Sequence, residues 1–284
     1  MAKCICKNCT NEGLVAIPIS KRGERNGFMC HFHAYQELGY SQENGLHYGT
    51  RKKHGFTFSM EMETALSDLK ARAEFLDFGF LPTADATVDV EYKSPIFEGL
   101  NAISKQATSF EKLMGENHLM IDGSCGTHFH VGHVEFINPT TMRYLRRFNG
   151  SLFAPLSEAI MADPVKAEKF FGRGSNHWAQ PVTHNDPSGN FDGWRMKHEA
   201  MFNLQHDYTI EFRQPKFVNA EQYMQVVKFA KDCTNAIIAN FIEHFMDTEW
   251  DTNRYPTRTE YRKHKAQVAA NKMVKLYEKY TANI

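Results

Sequence analysis

Phe56-Thr-Phe-Ser-Met-Glu-Met-Glu63 alternates apolar and polar residues without a slip. Phe56, Phe58, Met60 and Met62 share one parity, and a period of two is the mark of a half-buried strand. Successive strand side chains point to opposite faces, so Glu61 and Glu63 leave the other face together. The pattern returns three times. Val88-Asp-Val-Glu-Tyr-Lys93 sets Asp89 and Glu91 against Val88, Val90 and Tyr92. Thr127-His-Phe-His-Val131 sets His128 and His130 against Phe129 and Val131, and Tyr208-Thr-Ile-Glu-Phe-Arg213 sets Glu211 and Arg213 against Ile210 and Phe212. The polar faces carry carboxylates and imidazoles, with one guanidinium. That composition suits hard divalent cations and an anion held by a planar fork. If the four strands lie side by side, they share one site.

Between the strands, apolar residues recur at helical spacing. Leu66, Leu69, Ala73 and Leu76 predict one helix, and Leu100, Ile103, Ala107, Phe110 and Leu113 a second. Asn138-Pro139 opens a long one striped by Met142, Leu145, Leu152, Leu156 and Ile160, with Gly150 as a weak point. Asn219 opens another, striped by Tyr223, Val226, Val227, Ala230, Ile237 and Phe241, and a basic helix covers about 258–280. The fold class expected is α+β: a curved antiparallel sheet with helices on one face and the other face open as a cleft.

The chain has 284 residues, 42% of them hydrophobic, enough for one large domain and a small module. No apolar run reaches the ~18 residues of a membrane span, and the N-terminus lacks the apolar core of a secretory signal, so a cytoplasmic protein with no membrane partner is expected. Lys and Arg total 33, as do Asp and Glu. Residues 1–53 carry a net charge of +4 and residues 251–284 of +5, which leaves −9 on the middle of the chain. A carboxylate-rich middle is compatible with divalent-cation binding.

Four of the six cysteines fall in the first 30 residues. Cys6-Lys-Asn-Cys9 and Cys30-His-Phe-His33 supply two ligand pairs, and Leu14-Val-Ala-Ile-Pro-Ile19 with Phe28-Met29 reads as a hairpin between them. Cys6, Cys9, Cys30 and His33 are the expected ligands of a structural Zn2+ in a treble-clef-like module, with Cys4 or His31 able to replace one. The expected organisation is this module over 1–40, a linker over 41–53, a catalytic domain over 54–250 and a basic helix over 251–284.

The motifs also resemble a family. Met-Glu61-Met-Glu63, Glu91-Tyr-Lys-Ser-Pro95, Cys125-Gly-Thr-His-Phe-His-Val-Gly132 and Thr209-Ile-Glu-Phe-Arg213 are similar, in order and spacing, to blocks of the amidoligases, relatives of glutamine synthetase and glutamate–cysteine ligase. The resemblance covers roughly 55–245 and is most specific in the His-x-His and Thr-Ile-Glu-Phe-Arg blocks. It implies a glutamine-synthetase-like sheet that binds ATP and Mg2+ or Mn2+ and joins an amino-acid or peptide carboxylate to an amine. By motif, Glu61, Glu63, Glu91, His128 and Glu211 would hold the metals. His130, Arg173, Asn203 and Arg213 would contact the nucleotide, with Arg213 at the phosphoryl group in flight. Asp85 or Asp89 would take the proton from the incoming amine. Two positions depart from the family pattern: Asp85 stands in Ala84-Asp-Ala-Thr-Val-Asp89 without the usual small residue and serine after it, and Lys93 replaces an apolar residue. The same reading expects Glu211→Ala to abolish ATP turnover and leave the fold largely intact.

Two other readings compete. His128-x-His130 could serve a zinc hydrolase, although glutamates and an arginine suit Mg2+ better. The finger and the basic helix could serve nucleic acid or a protein partner, a reading that leaves the Glu/His face without a purpose. His177, His184 and His198 lie in a Gly-, Asn- and Pro-containing stretch, 171–200, that could cover a substrate, with Trp178 and Trp194 as lining residues. Cys125 is expected to be a small buried residue rather than a nucleophile.

Overall fold

The computed structural model describes residues 15–17, 27–29, 56–83, 88–97, 99–137, 139–174, 179–184, 200–205, 209–244 and 250–284. Strand β1 (Val15–Ile17) pairs antiparallel with β2 (Gly27–Met29), Val15 facing Met29, as the hairpin pattern suggests. Cys4, Cys6, Cys9, Cys30, His31, His33 and the 41–53 linker lie outside the described residues. The chain divides into two compact units between Val134 and Glu135, within the segment read as one catalytic domain.

In the first unit the 56–63 alternation becomes strand β3 (Phe56–Thr64). The strand β4 (Leu66–Ser67) follows, then helix α1 (Leu69–Asp77), β5 (Leu81–Thr83), β6 (Val90–Lys93), α2 (Leu100–Gly115), β7 (Leu119–Met120) and β8 (Thr127–His133). Within this unit the main strands run in the order β5-β6-β3-β8, every pair antiparallel, and β4 pairs with β7. Met60, Met62, Tyr92, Phe129 and Val131 form the apolar face. Phe75 of α1 stacks on Tyr92 with ring centroids 3.9 Å apart, and on Phe110 of α2 at 4.6 Å. The two helices therefore cover the apolar side and turn the opposite side chains of β6 the other way.

Two expectations need correction here. The strand β3 is not half-buried: Thr57 and Ser59, on the polar face, are as buried as Met60. The stripe assigned to α1 is also wrong, because Leu69 is 85% exposed while Leu66 and Leu76 face solvent as well. The buried face is Ala71 and Phe75. Asp68 fixes the helix start by accepting from the amides of Lys70 and Ala71, and the aromatic stack on Tyr92 then sets its rotation. The second stripe holds, with Ile103, Ala107, Phe110 and Leu113 all buried.

The second unit carries α3 (Pro139–Arg147), α4 (Asn149–Met161), α5 (Pro164–Phe171), β9 (Phe202–Asn203), β10 (Thr209–Phe212), α6 (Ala220–Asn240) and α7 (Arg258–Tyr280). The helix expected from Pro139 onward breaks at Phe148, although the Phe148 amide still donates to Tyr144 O and the Leu152 amide to Phe148 O. Gly150 is no weak point. A Cβ there would lie 2.7 Å from the His184 carbonyl oxygen and 2.8 Å from that of Thr183, so this end of α4 packs directly on backbone. Helix α6 follows its predicted stripe, with Asn219 accepting from the Gln222 amide as its cap. Helix α7 opens with a capping box between Thr257 and Glu260 and buries Ala266, Ala269, Ala270, Met273 and Tyr277. It packs against α4 and α6 within its unit. Among the described residues, no helix is long and apolar enough to cross a membrane.

Candidate metal centre

Register places the sequence-predicted residues of the first unit on one face. Across β3 and β8, Glu61 faces His128 and Ser59 faces His130; across β3 and β6, Glu61 faces Lys93 and Glu63 faces Glu91. Glu61 sits at the centre. Its Oε1 lies 3.0 Å from Lys93 Nζ and 3.7 Å from His130 Nε2, and its Oε2 lies 3.8 Å from His128 Nδ1. The other ring nitrogen of His128 is 3.7 Å from Glu63 Oε1. Burial grades along the face: His130 and His128 are essentially closed off at 0% and 2% exposed, Glu61 is 9% exposed, and the side chain of Lys93 reaches 24%. The imidazole end is closed, and the Lys93 end meets solvent.

Backbone and hydroxyl groups orient the carboxylates. Gly126 donates its amide to Glu63 Oε2 at 2.5 Å, while its carbonyl accepts from the Glu63 amide. Thr83 donates its hydroxyl to Glu91 Oε2 at 2.8 Å. Ser94 locks β6 onto β3: its Oγ accepts from the Met60 amide at 2.8 Å, and its own amide donates to Met60 O. Burial opposes charge on Glu61, yet the facing His128 and His130 rings and the Lys93 ammonium hold its carboxyl well below the usual range. Burial and the charge of Glu61 push Glu91 upward, against the pull of Lys93 and Thr83. Three carboxylates and two imidazoles on one buried surface are a donor set for a hard cation, and Gly126, Thr83 and Ser94 are supports that alternation alone does not disclose.

Asp89 does not join this face. It precedes β6, and its Oδ2 accepts from the Ser67 amide and hydroxyl, both at 3.3 Å, with Arg72 Nη2 at 3.4 Å. The same Ser67 hydroxyl is 3.0 Å from the Tyr92 hydroxyl, so Asp89 lies on the aromatic side of the sheet. The expected pairing of Asp89 with Glu91 fails because the strand begins only at Val90. Asp85, His177, Trp178, Trp194 and His198 lie outside the described residues. His184 is exposed and pairs with Glu158 at 3.0 Å. Cys125 is buried, its thiol donates to Asp122 Oδ1, and burial pushes the thiol up, away from nucleophilic use.

In the second unit, β10 and β9 bring Glu211 opposite Asn203. Asn203 Nδ2 donates to Glu211 Oε2 at 2.7 Å, and Arg213 Nη1 donates to Glu211 Oε1 at 2.7 Å. Glu211 and Asn203 are fully buried. Arg173 acts as a brace: Nε donates to Gln214 O at 3.0 Å, Nη2 donates to Arg213 O, and Gln214 returns a bond to Arg173 O at 2.9 Å. The sequence expectation gave Arg173 to the nucleotide, whereas here two of its donors hold the backbone that carries Arg213. Because Glu211 accepts from two buried donors, its loss is expected to cost stability as well as function.

The position of Arg173 depends on its neighbour. Gly172 caps α5 at φ 82°, and a Cβ there would lie 2.4 Å from Lys216 O and 2.7 Å from Val218 Cγ2. Gly172→Ala is expected to cost at least about 2 kcal/mol, since left-handed backbone alone costs an alanine 1–2 kcal/mol before the clash is counted. A urea melt checks this, and a variant within ~0.5 kcal/mol of wild type would show that the turn does not need glycine.

No protein-family model matches the chain, and no curated protein matches it.

Proposed function

We propose that this chain is an ATP- and Mg2+-dependent ligase that joins an amino-acid or peptide carboxylate to an amine through an acyl phosphate. The observation that carries the reading is Glu61, ringed on a buried sheet face by His128, His130 and Lys93 with Glu63 and Glu91 beside it. A buried acidic and imidazole surface of this kind is costly unless a cation uses it. The motif resemblance supplies the reaction class.

A carboxylate resists an amine because oxide is a poor leaving group. Transfer of the γ-phosphoryl group of ATP to a carboxylate oxygen releases ADP and gives an acyl phosphate. Attack by the amine then forms the C–N bond and expels phosphate, and the nitrogen loses a proton. Glu61, Glu63, Glu91, His128 and Glu211 would hold Mg2+ or Mn2+, which neutralises phosphate charge during the transfer. Arg213, held by Glu211 and by the Arg173 brace, would meet the transferring group with a planar fork. Asn203 holds the second oxygen of Glu211 and so fixes the direction of the first. His130 would contact phosphate. Asp85 or Asp89 would accept the amine proton.

The test is a screen for ADP and phosphate release over amino-acid and peptide pairs, with product mass as the second readout. Turnover should require a carboxylate, an amine and ATP together. EDTA should reduce it at least ~100-fold, and Mg2+ or Mn2+ should restore it. Full turnover in EDTA would refute the proposal. Hydrolysis of an amide without ATP, with two zinc ions per chain, would replace it with a zinc hydrolase.

A further inference from the structure

The ammonium of Lys93 sits where a second cation would otherwise be expected. Its Nζ is 3.0 Å from Glu61 Oε1 and 3.7 Å from Glu91 Oε2, bridging carboxylates that belong to two adjacent strands. The cross-strand register fixes it there: Lys93 is the direct partner of Glu61 and stands two residues from Glu91 on the same face of β6. Tyr92, stacked on Phe75 behind the sheet, prevents the strand from turning Lys93 away. We infer that Lys93 is a tethered resident cation that takes the place of one divalent ion between Glu61 and Glu91, so this face admits a single divalent cation. The inference rests on the proposed metal-binding role of the face.

Charge counting supports the stoichiometry. Glu61, Glu63 and Glu91 against Lys93 leave a formal charge of −2 before either imidazole is counted, which one divalent cation balances. A divalent ion placed between Glu61 and Glu91 would lie within a few ångströms of Nζ. Like charges at that spacing repel strongly where solvent screening is weak. The Glu61 oxygen turned toward His128, at the more buried end of the face, stays available to a single ion, since Lys93 engages the other oxygen. A residue this close to two carboxylates on one surface also tunes affinity: neutralising it removes a competitor for Glu61 and Glu91 together.

Mn2+ titration of the full chain, with free Mn2+ read by electron paramagnetic resonance, tests the inference without any catalytic assay. Wild type should take up one tight Mn2+. Lys93→Met, which keeps the aliphatic stem, should take up two or bind the first at least ~10-fold tighter. Lys93→Arg should match wild type, because it restores the charge. Two tight Mn2+ in wild type, or identical titrations for wild type and Lys93→Met, would overturn the inference and leave metal binding standing. No Mn2+ uptake by any of the three would instead remove the metal reading beneath it. Lys93→Gln serves as a second neutral variant, and melting curves confirm that each protein is folded.

Discussion

Glu61→Gln should reduce ATP turnover by about 10²–10³-fold and abolish tight Mn2+ uptake while leaving the melting temperature close to wild type. The direction follows from geometry. Glu61 lies within 4 Å of Lys93, His128 and His130 together. Glutamine preserves the shape and can still accept from Lys93, so the sheet keeps its contacts. The charge is lost, and with it the reason for burying two imidazoles and an ammonium around that point. His128→Ala should reproduce the loss of Mn2+ uptake less completely, because Glu63 is held independently by Gly126. Turnover within about threefold of wild type in Glu61→Gln would show that the cluster is structural, since loss of a preorganised charge at a reacting centre costs far more than this.

The second large effect concerns stability. Glu211→Ala is expected to lower the free energy of unfolding by about 3–5 kcal/mol, the range for removing one partner of a buried ion pair. The carboxylate accepts from Arg213 and Asn203 at 2.7 Å each, and its side chain is fully buried. Arg213→Met on the same background should return part of the loss, because the buried guanidinium then goes as well. A urea denaturation series on the two single variants and the double variant measures the coupling. A cost below ~1 kcal/mol for Glu211→Ala would mean that the pair is solvated, contrary to its geometry. Glu211→Gln is the better functional probe, since an amide oxygen can still accept one of the two bonds.

Much of this was legible in the residues. Period-two alternation found β3, β8 and β10, and parity alone placed Glu61, His128 and His130 on one face, because a direct cross-strand neighbour shares its partner's side of the sheet. The stripes of α2 and α6 were equally readable, since each buries a wide apolar face. The failures share one physical origin. Alternation cannot say where a strand begins, so Asp89 was counted with Glu91 although it belongs to the turn before β6. Apolar spacing cannot weigh an aromatic stack against a leucine, so α1 was rotated by the Phe75–Tyr92 contact away from its leucines. Lys93 was noted as a departure from the motif, but only its distances to Glu61 and Glu91 give it a chemical role. Arg173 was assigned by motif, and its bonds to the backbone at Arg213 and Gln214 make it a positioning residue.

Oxygen-18 tracing of the ligation tests the central claim most directly. A substrate pair that supports ADP release would be supplied with its carboxylate labelled, and the released phosphate analysed by mass. Passage through an acyl phosphate predicts one labelled oxygen in each phosphate formed. Phosphate free of label, with both labelled oxygens still on the carboxylate carbon, would mean that the chain hydrolyses ATP without activating a carboxylate.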